Sequence, residues 1–308
     1  MPRIEDFRFF CDVVESGSFS KAAEKIGVSQ PAISQQIKAL ETEYGVKLLH
    51  REGNEIVPTE DGKVIYSYAA QIIAFFEHSK DLVSQNKDIL LGDLIIGASS
   101  GPGENILPSI LGKFKQINPD VNIFLKVADT GEILNGIVNH RMELGFVGST
   151  RRDAQLIFEP FINDELVLVT SKCHPLAKKS HIQCEELLQI PLILQQQGSG
   201  ATSVLFQVLN EQGIRPSDLK HFMELGLQES TKTAVKAGLG ATIISKFGVQ
   251  DELLRGELVQ ISIQDISLKR NFYVCYNRTL PLSNLINNFL LFAHQNKKNL
   301  FAPPQHTS

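Results

Sequence analysis

From Gly92 onward the chain alternates short apolar runs with helical segments, and this alternation limits the fold more than any other feature. LIIGA (94–98), VNIFLKV (121–127), ELGFVG (143–148), ELVLVTS (165–171), PLILQ (191–195), HFMEL (221–225), GATIIS (240–245), LVQISI (258–263) and NFYVCYN (271–277) read as strands. Helical segments fall near 104–117, 130–140, 201–213, 229–237 and 282–296. Such alternation predicts parallel α/β sheets, and its extent over more than two hundred residues predicts two lobes.

The first sixty residues have a different texture, that of short helices with clear punctuation. Ile4, Phe7, Phe10 or Cys11, and Val14 recur at helical spacing until Gly17. Ser18 is placed to cap a second helix, FSKAAEKI, with Ala22, Ala23 and Ile26 on its apolar face and Gly27 at its end. Ser29 is placed to cap a third, with Pro31 in the first turn, where a missing N–H costs nothing. Ile33, Ile37, Leu40 and Tyr44 line one face of that helix; Gln30, Ser34, Gln35 and Lys38 line the other. Two helices joined across Gly27–Ser29 form a helix-turn-helix pattern. Leu48 to Arg51 and Glu55 to Pro58 flank Gly53-Asn54, a hairpin signal that would add a wing.

Thr59 then caps a helix expected to reach about Asp88, with Ile65, Tyr68, Ile72, Phe75, Ser79 and Leu82 three and four apart, as in a coiled-coil seam. A rod of roughly 45 Å with an apolar stripe finds its natural partner in a second copy.

Charge does not announce a nucleic-acid partner. The chain of 308 residues has a net charge of −4, and residues 1–60 hold 7 Lys/Arg against 10 Asp/Glu. A DNA reading therefore rests on local geometry, and it predicts weak non-specific binding and reliance on paired half-sites. No apolar run approaches the ~18 residues of a membrane span. MPRIEDFRFF has acidic residues where a signal peptide needs a basic flank and an apolar stretch, so a cytoplasmic protein is expected. Four cysteines without a CxxC pair make no disulfide framework.

The stretch FRFFCDVVESGSFSKAAEKIGVSQPAISQQIKALETEYGVKLLHRE, the long helix and the two-lobed α/β region together resemble the LysR-type transcriptional regulators over essentially the whole chain. One departure is visible: the family's wing carries two basic residues three apart, and here Arg51 is followed by Asn54. The segments GASSGPGENILP and GLQESTKTAVKAGLGATIIS are similar to members regulating sulfur, nitrogen or carbon assimilation. The resemblance implies an all-α winged helix-turn-helix over 1–58, a dimerising linker helix over 59–91 and a periplasmic-binding-protein-like α/β effector domain over 92–308. Lobe I would take about 92–162 and 266–300, and lobe II about 163–265. It assigns DNA contact to Ser18, Ser29, Gln30, Pro31, Ser34, Gln35, Lys38 and Arg51. A homodimer or homotetramer on double-stranded DNA, contact with RNA polymerase and a small-molecule co-inducer complete the expectation, with no cofactor, no metal and no membrane partner.

Glycine and hydroxyl loops carry the ligand reading. GASSG (97–101), Asp129-Thr130-Gly131, Gly148-Ser149-Thr150 and the run Gln196 to Thr202 each follow a strand, where open α/β folds bind ligands. By resemblance, Ser99, Ser100, Thr130, Ser149 and Thr202 match hydroxyls that contact co-inducers, with Gly101 in the same loop. Lys and Arg are absent from 97–105, 129–133 and 195–203, so a small mono- or dianion or a polar metabolite held by neutral donors is expected.

The rival class is an α/β enzyme or solute-binding protein fused to a DNA-binding module. GASSG does match the G-x-S-x-G nucleophile pattern, but none of His174, His181, His221 and His294 stands in the context of a catalytic base. Cys173-His174 and His181 to Cys184 fit no zinc spacing, and Gly238-Leu239-Gly240 is too incomplete for a dinucleotide.

Overall fold

The computed structural model describes residues 1–84, 90–196, 199–279 and 281–297. Residues 85–88 of the expected linker helix, Gln197 and Gly198, and the tail FAPPQHTS lie outside the described residues. Contacts divide the chain into two compact units, one comprising Met1–Asp88 with Asn139–Arg141 and Thr279–Asn284, the other the remainder.

The first unit contains α1 (Ile4–Ser16), α2 (Phe19–Ile26), α3 (Gln30–Tyr44), the hairpin β1 (Leu49–Glu52) and β2 (Glu55–Pro58), and α4 (Glu60–Ser84). Its caps are the ones the sequence offers. Ser18 Oγ accepts from Lys21 N and Ser29 Oγ from Ala32 N, both at 3.4 Å. Thr59 Oγ1 accepts from Gly62 N at 2.9 Å. Gly27 turns the chain between α2 and α3 at φ 78°, a left-handed conformation that side chains disfavour. Phe10, Val13, Ala22, Ile33, Leu48 and Ala69 form a fully buried core.

Two side chains depart from the expected faces. On α1 Val13 is fully buried in the core, with the expected Val14 packed half-buried against it, and Tyr44 in the last turn of α3 stays 40% exposed. The hairpin also starts one residue later than expected, pairing Leu49 with Pro58 around Gly53-Asn54.

Close packing at one glycine supports a stability prediction. A Cβ on Gly62 would sit 2.0 Å from the Leu48 carbonyl oxygen, which already accepts from Thr59 N at 3.0 Å. Backbone has little room to yield there. Gly62→Ala is expected to lower the unfolding free energy of this unit by about 2–3 kcal/mol in urea denaturation.

Along α4 an apolar row faces outward: Val64, Tyr68, Ile72, Phe75 and Phe76 are between 39% and 60% exposed. Ile65, expected in the seam, instead packs half-buried against the unit's own core, and Val64 takes its place in the row. The Leu82 side chain lies outside the described residues.

The second unit runs β3 (Gly92–Ala98), α5 (Ser100–Asn105), α6 (Leu107–Ile117), β4 (Val121–Val127), α7 (Thr130–Val138), β5 (Leu144–Val147), β6 (Leu156–Ser171), β7 (His181–Ile182), β8 (Leu192–Gln195), α8 (Gly200–Glu211), β9 (His221–Leu225), α9 (Gln228–Lys236), β10 (Ala241–Ser245), α10 (Lys246–Leu254), β11 (Leu258–Ile263), β12 (Lys269–Asn277) and α11 (Asn284–Asn296). The strand order is β4-β3-β5-β12-β6-β10-β8-β9, with β11 pairing β6 and β7.

The sheets are mixed, not parallel throughout. β3, β4 and β5 are parallel, as are β8, β9 and β10, but β6 and β12 run antiparallel between the two sets. β6 pairs β12 through Leu156–Glu165 and β10 through Leu166–Thr170, so one strand serves both halves. Its first nine residues escape a sequence reading because Pro160 interrupts them; beside that proline Phe161 is a bulge in β6, Phe272 pairing with Ile162 and Tyr273 with Pro160.

Candidate functional site

In the helical unit, the buried apolar row of α3 fixes which side of the helix is wet. Ile33, Ile37 and Leu40 are buried, and so Ser29, Gln30, Pro31, Ser34, Gln35 and Lys38 are all exposed. Ser18, the α2 cap, is half-buried. A groove of about 280 Å³ between α3 and the hairpin brings Ser34, Lys38, Lys47, His50 and Arg51 together. Lys47 is committed to Glu41 at 2.6 Å. Lys38 and exposed Arg51 form no ion pair among the described residues. Amides and hydroxyls on the first turns of a helix, flanked by available cations, have the groups needed to read base edges and hold phosphates.

In the α/β unit, a pocket of about 180 Å³ opens at the carboxyl ends of β3, β4, β5, β8 and β9. Ser99 and Ser100 line it after β3, Thr130 after β4, Gly148 after β5, Gln195 within the end of β8, and Gln228 after β9. The helices α5, α7, α8 and α9 begin at or beside residues of this lining, so four helix N-termini meet one space. Glu104 and Asp129 also line it; Asp129 Oδ1 caps α7 by accepting from Glu132 N at 2.9 Å. Burial, and then the Glu229 carboxylate, push the Glu104 carboxyl above its ordinary range.

Two lining side chains hold polar atoms with no hydrogen-bond partner among the described residues. Thr130 is 8% exposed and its Oγ1 is unsatisfied. Gln195 is 6% exposed; its Oε1 accepts from Ser199 Oγ at 2.6 Å, but its Nε2 is left without a partner. Buried polar groups are seldom left so, because each costs about 1–3 kcal/mol. Both orphans line the same pocket.

The pocket's cation is Arg270, which the sequence reading missed, and it corrects the expectation of a site built from neutral donors alone. Arg270 arrives from β12, far along the chain from every loop considered. Its Nε donates to Asp164 Oδ2 at 2.8 Å, and Asp164 Oδ1 accepts from Ser245 Oγ at 2.7 Å. The guanidinium lies over Phe272, 4.7 Å from the ring centroid. Three glycines make room for it: a Cβ on Gly148 or Gly200 would stand 3.3 or 3.2 Å from Nη1, and one on Gly101 would stand 3.5 Å from Nη2. Burial raises the Asp164 carboxyl, against the pull of Arg270 and the Ser245 hydroxyl.

The expected hydroxyls divide. Ser99, Ser100, Gly101 and Thr130 line the pocket. Ser149 does not line it, and Thr202 spends its hydroxyl on the Gln195 carbonyl at 3.0 Å. Ser199 and Gln195 stand in the lining instead, and nothing in residue type distinguishes them from their neighbours in sequence. Ser99, the serine of the G-x-S-x-G pattern, is buried and accepts from Gly148 N at 3.1 Å; no histidine is among the lining residues. At the other suspected cluster, His174 Nδ1 accepts from Leu176 N, and burial followed by Asp265 pushes the Cys184 thiol to about 11.

A helix-turn-helix with a wing, joined in one chain to an α/β unit with a pocket at its strand ends, defines a ligand-responsive DNA-binding architecture. Residues 4–63 match the bacterial regulatory helix-turn-helix protein, lysR family, and residues 89–298 match the LysR substrate binding domain. The chain belongs to the LysR family of transcriptional regulators, with an amino-terminal helix-turn-helix domain and a periplasmic-binding-protein-like effector domain.

It is 29% identical over 293 residues to the HTH-type transcriptional activator CmpR of Synechocystis, covering 94% of this chain and 95% of that protein. It is 30% identical over 290 residues to the HTH-type transcriptional regulator CysL of Bacillus subtilis, covering 94% and 95%. Full-length OxyR from Pseudomonas aeruginosa shares the fold with a TM-score of 0.79 at 18% identity, over 97% of this chain and 95% of that one. The regulatory domain of CcmR from Synechocystis, in complex with 2-PG, has a TM-score of 0.62 at 27% identity, over 68% of this chain and 98% of that one.

Proposed function

We propose that α3 enters the major groove of operator DNA, with Gln30, Ser34 and Gln35 reading bases, and with Ser18, Ser29, Pro31, Lys38 and Arg51 setting its position against the backbone. The observation that carries this reading is the split of α3 into a buried apolar face and an exposed polar one beside Lys38 and Arg51, which form no ion pair among the described residues. α4 pairs two copies through its outward apolar row, which supports a dimer or tetramer and so paired half-sites. Contact with RNA polymerase and a cytoplasmic setting belong to the same reading; among the described residues no helix is long and apolar enough to cross a membrane. The protein acts by binding and not by catalysis.

The effector is a small acidic metabolite held between Arg270, the orphaned Thr130 and Gln195 groups, and Ser100. The complex of the similar CcmR regulatory domain with 2-PG supports a small-molecule effector. Ligand in the pocket shifts how the subunits sit on DNA.

Fluorescence anisotropy on cognate and scrambled duplexes at several salt concentrations tests the DNA roles. Gln30→Ala, Ser34→Ala and Gln35→Ala should each cost about 1–3 kcal/mol of discrimination. Arg51→Ala should weaken both duplexes alike and reduce the salt slope by about 1. Four variants behaving identically on both duplexes would contradict the division of roles.

A further inference from the structure

A second concavity of the α/β unit takes no part in the reading above. Its floor is Asn163, Asp164 and Glu165 of β6 with Lys269, Arg270 and Asn271 of β12, where the strands pair and Asp164 lies opposite Arg270. Its wall is one face of α10, on which Lys246, Phe247, Gln250, Leu253 and Leu254 recur at i, i+1, i+4, i+7 and i+8. The side of α10 that enters the core carries Gly248 and Val249. On this face Leu253 also packs against the core cluster of Val249 and the Phe247 ring lies beside Phe272, so both are shared between core and concavity, while Leu254 is 79% exposed. The space measures about 890 Å³, within the range of small-molecule sites.

The lining sets the chemistry of an occupant. Phe247, Leu253 and Leu254 offer apolar surface. Lys246 faces Glu165 at 3.3 Å in a half-exposed pair, which holds little energy. Lys269 is exposed and has no ion pair among the described residues. Asp164 is committed to Arg270 and Ser245. A polyanion would meet the half-exposed carboxylate of Glu165, and a neutral apolar ligand would leave Lys269 unanswered.

We propose that this concavity is a second ligand site, for a monocarboxylate with an acyl or aryl tail, the carboxylate on Lys269 and the tail on Phe247, Leu253 and Leu254. The proposal stands without the reading of the first pocket. Arg270 lines both spaces and is left untouched in the test.

Isothermal titration of the full chain with octanoate, using acetate as the tail-less control, tests the site. Octanoate is expected to bind saturably at one per chain, with acetate at least tenfold weaker. Lys269→Gln and Leu254→Gln lie at exposed positions that leave the core intact, and each should weaken octanoate at least fivefold. Leu291→Gln, at another exposed leucine, should leave octanoate affinity unchanged. Absence of saturable octanoate binding, or equal weakening by Leu291→Gln, would overturn the site. So would a Leu254→Gln variant whose native mass falls while its octanoate affinity holds, since that marks this face of α10 as a contact between copies.

Discussion

Arg270→Ala is expected to destabilise the α/β unit by about 3–5 kcal/mol, because it leaves a buried carboxylate without its partner. The Asp164 side chain is fully buried and that of Arg270 is 7% exposed, so water cannot take over the lost interaction. Urea denaturation of the single variants and of Arg270→Ala with Asp164→Ala separates the terms. The double variant should recover much of the loss, as removing both charges also removes the cost of burying either. The deficit should also depend on pH with a definite sign. Burial already holds the Asp164 carboxyl above its ordinary 3.8, and losing Arg270 raises it further. The folded state then binds its proton more tightly than the unfolded state. Stability therefore falls as pH rises from 3.8 through the raised value, and the variant's deficit narrows as the solution is acidified. A deficit independent of pH would show that Asp164 is not the group left behind.

Tyr68→Asp and Phe75→Asp are expected to break the dimer proposed through α4. Tyr68 is 60% and Phe75 50% exposed in the isolated chain, so neither substitution disturbs the helical unit's core. Placed in a paired apolar seam, each unpaired charge costs about 3–5 kcal/mol, and a two-fold seam contains it twice. Sedimentation at micromolar concentration should show the mass of one 34.2 kDa chain. Affinity for a two-half-site operator should fall at least a hundredfold, with single half-site binding retained. A native protein that already sediments as one chain would remove the α4 seam from the account.

The helical unit was legible because its punctuation is local. Ser18, Ser29 and Thr59 cap helices, and Gly27 turns the chain, through groups within three residues of themselves. The faces of α3 follow from spacing alone, except in its last turn, where Tyr44 is 40% exposed. Long-range features were not legible. Leu156–Asp164 reads as loop because Pro160 breaks the pattern, and only long-range pairing with β12, through a β6 bulge at Phe161, makes it strand. The pocket was found from its hydroxyl loops, yet its charge was not: Arg270 reaches it from another strand, through space cleared by Gly101, Gly148 and Gly200. Ser149 and Thr202 share chemistry with the lining residues, and only their orientation sets them apart.

The central claim is that this chain binds particular DNA through α3. Its most direct test is a gel-shift titration of the full-length protein at low salt, using the DNA upstream of its own gene against an unrelated fragment of equal length. The account predicts retardation of the upstream fragment at concentrations at least a hundredfold below those that shift the unrelated one, since a net charge of −4 gives little general affinity. No retardation at low salt, or equal retardation of both fragments, would contradict it.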